Sequence, residues 1–164
     1  MNQYFLILLS VLTLFRLNAQ CEVKNRIGAD QTMYYYIKSE LFYYTEAKSL
    51  KGNITTDKQN YFLRLSPKPF PDKDEKKKLD RSIHIVLTND SAIVLENFDV
   101  EYRARDTSVS LMYQIPNELL SAFMVHDIKS LSMDLGDESG ERHYVFVLHK
   151  ATLREQLNCL KELK

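Results

Sequence analysis

Apolar residues change their spacing several times along this 164-residue chain, and each change marks an element. Residues 4–15 (YFLILLSVLTLF) are almost wholly apolar. A run of about a dozen falls short of the roughly 20 residues a bilayer-crossing helix needs, and it is the length of a signal-peptide core. Leu17-Asn18-Ala19 follows, a polar exit ending on a small residue. The pattern predicts a signal peptide over residues 1–19, cleaved after Ala19, and a single domain over residues 20–164 with no transmembrane helix. The expected destination is a secreted or periplasmic one.

Beyond residue 33 the spacing turns short. Residues 33–44 (MYYYIKSELFYY) are rich in side chains that favour pleated structure, with Met33, Tyr35, Ile37, Leu41 and Tyr43 on one parity, which predicts a strand or hairpin. A helix is the rival, because Met33, Ile37, Leu41 and Tyr44 also fall at three- and four-residue steps. Residues 61–65 (YFLRL) read as a strand, and residues 67–81 as an exposed connection whose prolines and charges are unsuited to a sheet interior. Residues 82–87 (SIHIVL) and 92–95 (AIVL) flank Thr88-Asn89-Asp90-Ser91 and predict a hairpin. Residues 108–115 form a further strand, Pro116 opens one or two helical turns or a bent strand entry, residues 127–135 alternate imperfectly, and residues 143–148 (HYVFVL) make the last strand. From Lys150 the period changes: Leu153, Leu157 and Leu160 recur at four and three residues, with Cys159 beside the stripe, as in an amphipathic helix.

Six or seven strands and a C-terminal amphipathic helix make an α+β chain: an antiparallel, β-rich sheet or partly closed barrel with the helix over an open end or face. In element order alone this is similar to pleckstrin-homology-like barrels, which place seven strands before a capping helix; the likeness implies no functional residue. Composition narrows the partners. Lys plus Arg equals Asp plus Glu, 22 each, so no field of one sign exists to hold nucleic acid. Removal of the leader leaves about 145 residues, a common size for one domain.

Two cysteines, Cys21 and Cys159, carry three readings. In an exported chain they have one internal connectivity, a disulfide between them. The second is a lipid on Cys21, against which stands Gln20 where a lipoprotein peptidase requires a small residue. The third is a pair of unpaired buried thiols. A metal site is not expected: His84, His126, His143 and His149 include no close pair of zinc type, and His143 and His149 would stand ~20 Å apart on an extended strand. The acidic turn of Asp134, Asp137, Glu138 and Glu141 lacks the ligand alternation of a calcium loop. No Gly-x-Ser-x-Gly elbow is present, and neither Asp99 with Glu101 nor Asp127 with Asp134 earns a catalytic role. We therefore expect no cofactor and assign no catalytic residue.

Tyrosine is the unusual feature, with five of the chain's ten between residues 34 and 44. Flat amphipathic rings stack on ligands and anchor partners, so Tyr34, Tyr36 and Tyr44 are the candidate ligand-binding residues. Their structural alternative is that one parity fills the core and the other covers a sheet face. Asn53 and Asn89 head glycosylation sequons. The reading is an exported non-enzymatic domain that binds a protein or small molecule through a Tyr-rich sheet face. Its alternatives are a secreted or periplasmic hydrolase with a scattered site, and a lipid-anchored envelope module.

Overall fold

A computed structural model describes residues 21–28, 30–70, 82–103, 108–136 and 140–163. The expected signal peptide over residues 1–19 and the lysine-rich segment over residues 71–81 lie outside them. Eleven strands appear among the described residues: β1 (Lys24–Ile27), β2 (Met33–Tyr36), β3 (Glu40–Tyr44), β4 (Ser49–Thr56), β5 (Tyr61–Lys68), β6 (Ile83–Leu87), β7 (Ala92–Leu95), β8 (Asn97–Arg103), β9 (Ser108–Ile115), β10 (Ile128–Asp134) and β11 (Glu141–Val145). Two helices join them, α1 (Asn117–Val125) and α2 (Thr152–Lys161). Seven strands form one antiparallel sheet in the order β1-β2-β4-β5-β9-β8, with β3 also on β4; four form a second in the order β11-β10-β6-β7. The chain is thus α+β and β-rich, with a curled antiparallel sheet and a C-terminal amphipathic helix. Its element order is longer than the pleckstrin-homology-like one, because α1 falls between β9 and β10 and eleven strands replace seven.

Alternation explains which faces close on each other. Ile54, Leu63, Leu65, Leu111 and Tyr113 of the large sheet share one core with Ile83, Ile85, Leu95, Leu131, Met133 and Tyr144 of the small one. Leu153, Leu157 and Leu160 of α2 enter the same core, as their spacing predicts. The imperfect alternation after Asp127 has a cause: a register shift between Ile128 and Ser130 lets Ile128 and Leu131, three residues apart, both face inward.

Residues 33–44 do not fold on themselves. They make β2 and β3, which lie along the same edge of β4 and are separated by a break at residues 37–39. A second register shift, between Leu41 and Tyr43, turns both Phe42 and Tyr43 to the core. There Phe42 stacks on Phe146 with centroids 5.0 Å apart, and Tyr43 meets Tyr144 edge-on at 5.4 Å.

Opposite the break, β4 would lose backbone partners, and side chains supply them. Gln156 of α2 accepts from the Ile54 N–H at 2.7 Å and donates to the Lys38 carbonyl at 3.2 Å. Asn53 Nδ2 donates to the Ile37 carbonyl at 2.9 Å, and its Oδ1 accepts from Ser39 Oγ at 2.9 Å. Both amides are buried. Three residues beyond Gln156, Cys159 stands at disulfide distance from Cys21, with Cα atoms 6.0 Å apart.

One expectation is corrected. Pro67 belongs to β5 and not to the exposed connection: it is buried and lies opposite Leu50 in the ladder with β4. The pairing of β5 with β9 ends at Leu65, so at Pro67 the strand has one neighbour and tolerates the missing N–H as an edge strand does.

Candidate functional site

The face of the large sheet turned away from the shared core is the place where polar chemistry gathers. Register puts Arg26 beside Tyr34, Tyr36 beside Thr55, Thr55 beside Phe62, Arg64 beside Met112, and Ser110 beside Glu101. The sheet curls with this face inward. Its first and last strands come close enough for Arg26 of β1 to reach Glu101 of β8, Nη1 to Oε2 at 3.5 Å. The result is a half-barrel with two unlike ends.

One end is apolar. Tyr34, Phe62 and Met112 form a small core of their own, Tyr34 edge-on to Phe62 at 6.2 Å and Phe62 against the half-exposed Phe98 at 4.8 Å. Burial raises the Tyr34 hydroxyl above its ordinary value, and the charges of Asp30 and Asp57 push it the same way. Tyr34 therefore stays neutral and serves as wall.

The other end is a polar cleft of about 200 Å³ lined by Tyr36, Ser39, Asn53, Arg64, Ser66, Ser108 and Ser110. Arg64 is 8% exposed. Its Nε donates to Ser110 Oγ and its Nη2 to Glu101, which leaves Nη1 outside both contacts. Glu101 is thus shared between two guanidinium groups. Two buried polar atoms on this face, Arg26 Nε and Thr55 Oγ1, have no hydrogen-bond partner among the described residues. Buried polar atoms without a partner are rare in folded proteins, and an ordered water or a bound group is one way to satisfy them.

A larger hollow of about 370 Å³ lies beside the Cys21–Cys159 pair, lined by Lys38, Glu40, His149, Glu155 and Gln156 among others. Most of its charged side chains are solvent-exposed, and the one buried amide in it, Gln156, bonds through both its oxygen and its nitrogen to the β4 break. Its chemistry is structural.

Of the three candidate tyrosines, the structure brings two together. Tyr34 and Tyr36 share the inward face of β2, Tyr34 in the aromatic end and Tyr36 on the rim of the cleft. Tyr44 is 66% exposed and pairs with Ser49, whereas Tyr36 pairs with Thr55, so six residues of β4, ~20 Å, separate them. Asn53 is 2% exposed and committed to the β4 break, whereas Asn89 lies exposed on the β6–β7 turn. Among the described residues no group of three His, Cys, Asp or Glu converges as a metal site. Asp137 and Glu138 of the acidic turn lie outside those residues.

On the small sheet, Ser132 is flanked across the strands by His84 and His143, and its Oγ stands 2.9 Å from His143 Nδ1. A hydroxyl and an imidazole at that distance resemble a nucleophile and its base. The pair sits on the open sheet face, and among the described residues no carboxylate hydrogen-bonds to His143. Each carboxylate pair weighed from the sequence has a member held in an ion pair: Asp127 meets Arg154 at 3.1 Å, and Glu101, on the same face of β8 as Asp99, meets Arg64 and Arg26.

Sequence pattern singles out neither Arg64 nor Ser110, and it offers Glu101 only as a carboxylate beside Asp99, not as a partner for arginine. The one signal was a charge inside YFLRL, since an arginine in an otherwise apolar strand needs a partner once buried. Its partners lie 37 and 46 residues away on strands whose pairing the sequence does not state. No protein family, curated protein or solved structure matches this chain.

Proposed function

We propose that this chain is an exported, non-enzymatic domain that binds a small polar ligand at the mouth of the half-barrel, between Tyr36 and Arg64. The observation that carries the reading is convergence: a nearly buried guanidinium, a tyrosine rim and several serine hydroxyls line one cleft, beside an aromatic wall that is already packed. Binding sites combine a preformed apolar wall with a few placed polar groups, and this face has both. Export is supported by the apolar leader and by the cysteine pair at disulfide distance, a feature of oxidising compartments. The approach of Cys21 to Cys159 supports reading Cys21 as a clasp in preference to a lipid carrier. Among the described residues no helix is long and apolar enough to cross a membrane.

The test is a fragment screen read by amide chemical shifts on labelled protein. Ligands should shift Tyr36, Arg64, Ser66 and Ser108 together, and Tyr36→Ala should weaken the hits at least tenfold. Hits confined to the exposed face around Tyr44 would overturn the cleft as the site.

The hydrolase reading rests on one observation, the Ser132–His143 contact. It predicts ester hydrolysis that Ser132→Ala abolishes; turnover equal to buffer in both proteins disposes of it.

A further inference from the structure

Within the proposed cleft, the charge distribution names a ligand class. The whole chain is electrically balanced, so any excess on one face is local. On the strand positions of the curled face, Lys24 lies across from Tyr36 and Lys51 across from Ser66, in addition to Arg26 and Arg64. Among the described residues Lys68 lies on the same face, and against these five cations stand Asp99 and Glu101 on the strands and Asp30 and Asp57 beside Tyr34 at the aromatic end, away from the cleft. Lys24 spends part of its charge on the exposed Glu22, 3.3 Å away. Glu101 is one carboxylate shared by Arg26 and Arg64, and it is not among the residues that line the cleft, whereas Arg64 and Ser110 are.

Burying a guanidinium is costly unless its charge is met. One shared carboxylate meets half of the pair's charge, and of the two guanidinium groups it is Arg64 that lines the cleft, among the hydroxyls of Tyr36, Ser39, Ser66, Ser108 and Ser110. Hydroxyls and a guanidinium edge are the groups that recognise oxyanions, because each presents an N–H or O–H to an oxygen lone pair. The orphaned Arg26 Nε adds a donor on the same face. A neutral sugar would leave the excess charge uncompensated.

We infer that the cleft between Tyr36 and Arg64 binds a small oxyanion, a carboxylate or a phosphate, with Arg64 as its charged contact and Ser66 and Ser108 as hydroxyl donors. The inference rests on the cleft being the binding site, and the experiment separates the two claims. Labelled full-length mature protein is titrated with sodium acetate, with inorganic phosphate and with glucose, each against sodium chloride at matched ionic strength. The anions are expected to shift the Arg64 side-chain Nε–H and the Ser66 and Ser108 amides saturably, with chloride and glucose inactive at the same concentrations. Preference between acetate and phosphate identifies which oxyanion the cleft suits. Arg64→Gln should weaken that binding at least tenfold. If that variant fails to fold, Ser108→Ala, a half-buried hydroxyl, should weaken it by about threefold in an otherwise native spectrum. Saturable glucose shifts at the cleft with silent anions would keep the cleft and overturn the oxyanion. Shifts scattered over the surface and matched by chloride would overturn both.

Discussion

Gln156 offers the sharpest test of how this fold is held. Its amide stands in for the strand that is missing where β2 gives way to β3, accepting from Ile54 N–H and donating to Lys38 C=O. It is 4% exposed and the Ile54 N–H it serves is buried, so water does not reach that donor when the side chain is replaced by an isostere, whereas the Lys38 carbonyl adjoins the open hollow. Gln156→Met keeps the volume and loses both bonds, leaving the Ile54 N–H unpaired at a cost of about 1–3 kcal/mol. Gln156→Ala loses the same bonds but opens room in which a water can bridge them, so its cost should not exceed that of Met by more than ~1 kcal/mol. A loss of packing alone predicts the opposite order, with Ala costly and Met nearly neutral. Urea unfolding of the oxidised protein at pH 7 decides between them, and amide hydrogen exchange at Ile54 supplies a local reading, faster in both variants. Native stability in Gln156→Met, within about 0.5 kcal/mol, would refute the argument that the amide is there for its hydrogen bonds.

Other predictions follow from single contacts. A Cβ on Gly52 would come within 2.8 Å of the Arg64 carbonyl oxygen and 2.7 Å of Phe42, so Gly52→Ala should lower the urea-unfolding free energy by about 1–3 kcal/mol. Asn53→Asp sets a buried carboxylate oxygen against the Ile37 carbonyl; a loss of at least ~2 kcal/mol at pH 7 is expected, recovered in part when the acid is protonated, as a pH series of melting curves would show. Replacing Cys21 by Ser releases a closure spanning 138 residues and should cost about 2–4 kcal/mol, measurable beside reduced wild type, which should match it. Asp57 is held below its ordinary value of 3.8: burial pushes it up, but hydrogen bonds from the Asn60 side chain and the Asn60 and Gln59 backbone outweigh that. A folded value below the unfolded one means its stabilisation is complete above about pH 4 and is lost as pH falls through the folded value, so Asp57→Asn should flatten that part of the acid unfolding curve.

Local pattern was enough wherever one element is governed by its own neighbours in sequence. The β6–β7 hairpin, β9 and the apolar stripe of α2 are written in alternation, turn residues and three-four spacing, because each buries one face of a regular repeat. The α+β class follows from those elements, and the proximity of Cys21 to Cys159 from there being two cysteines and one possible internal pair. The tyrosine-rich segment shows where this stops. Its parity is interrupted at residues 37–39 and again between Leu41 and Tyr43, and both interruptions are made good by distant groups: Gln156 for the first, Phe146 and Tyr144 for the second. β4 was missed for a related reason. Its Asn53 and Thr55 read as polar yet are buried, since the curl of the sheet covers the face that a flat sheet would leave to water, while Gly52 and Thr56 lie on the opposite face with Ile54, toward the shared core. That curl also makes the cleft. Arg26, Arg64 and Glu101 are scattered charges in the sequence, and they become one ion-pair cluster because the curl brings the first and last strands of the large sheet within side-chain reach, a long-range event that no spacing along the chain encodes.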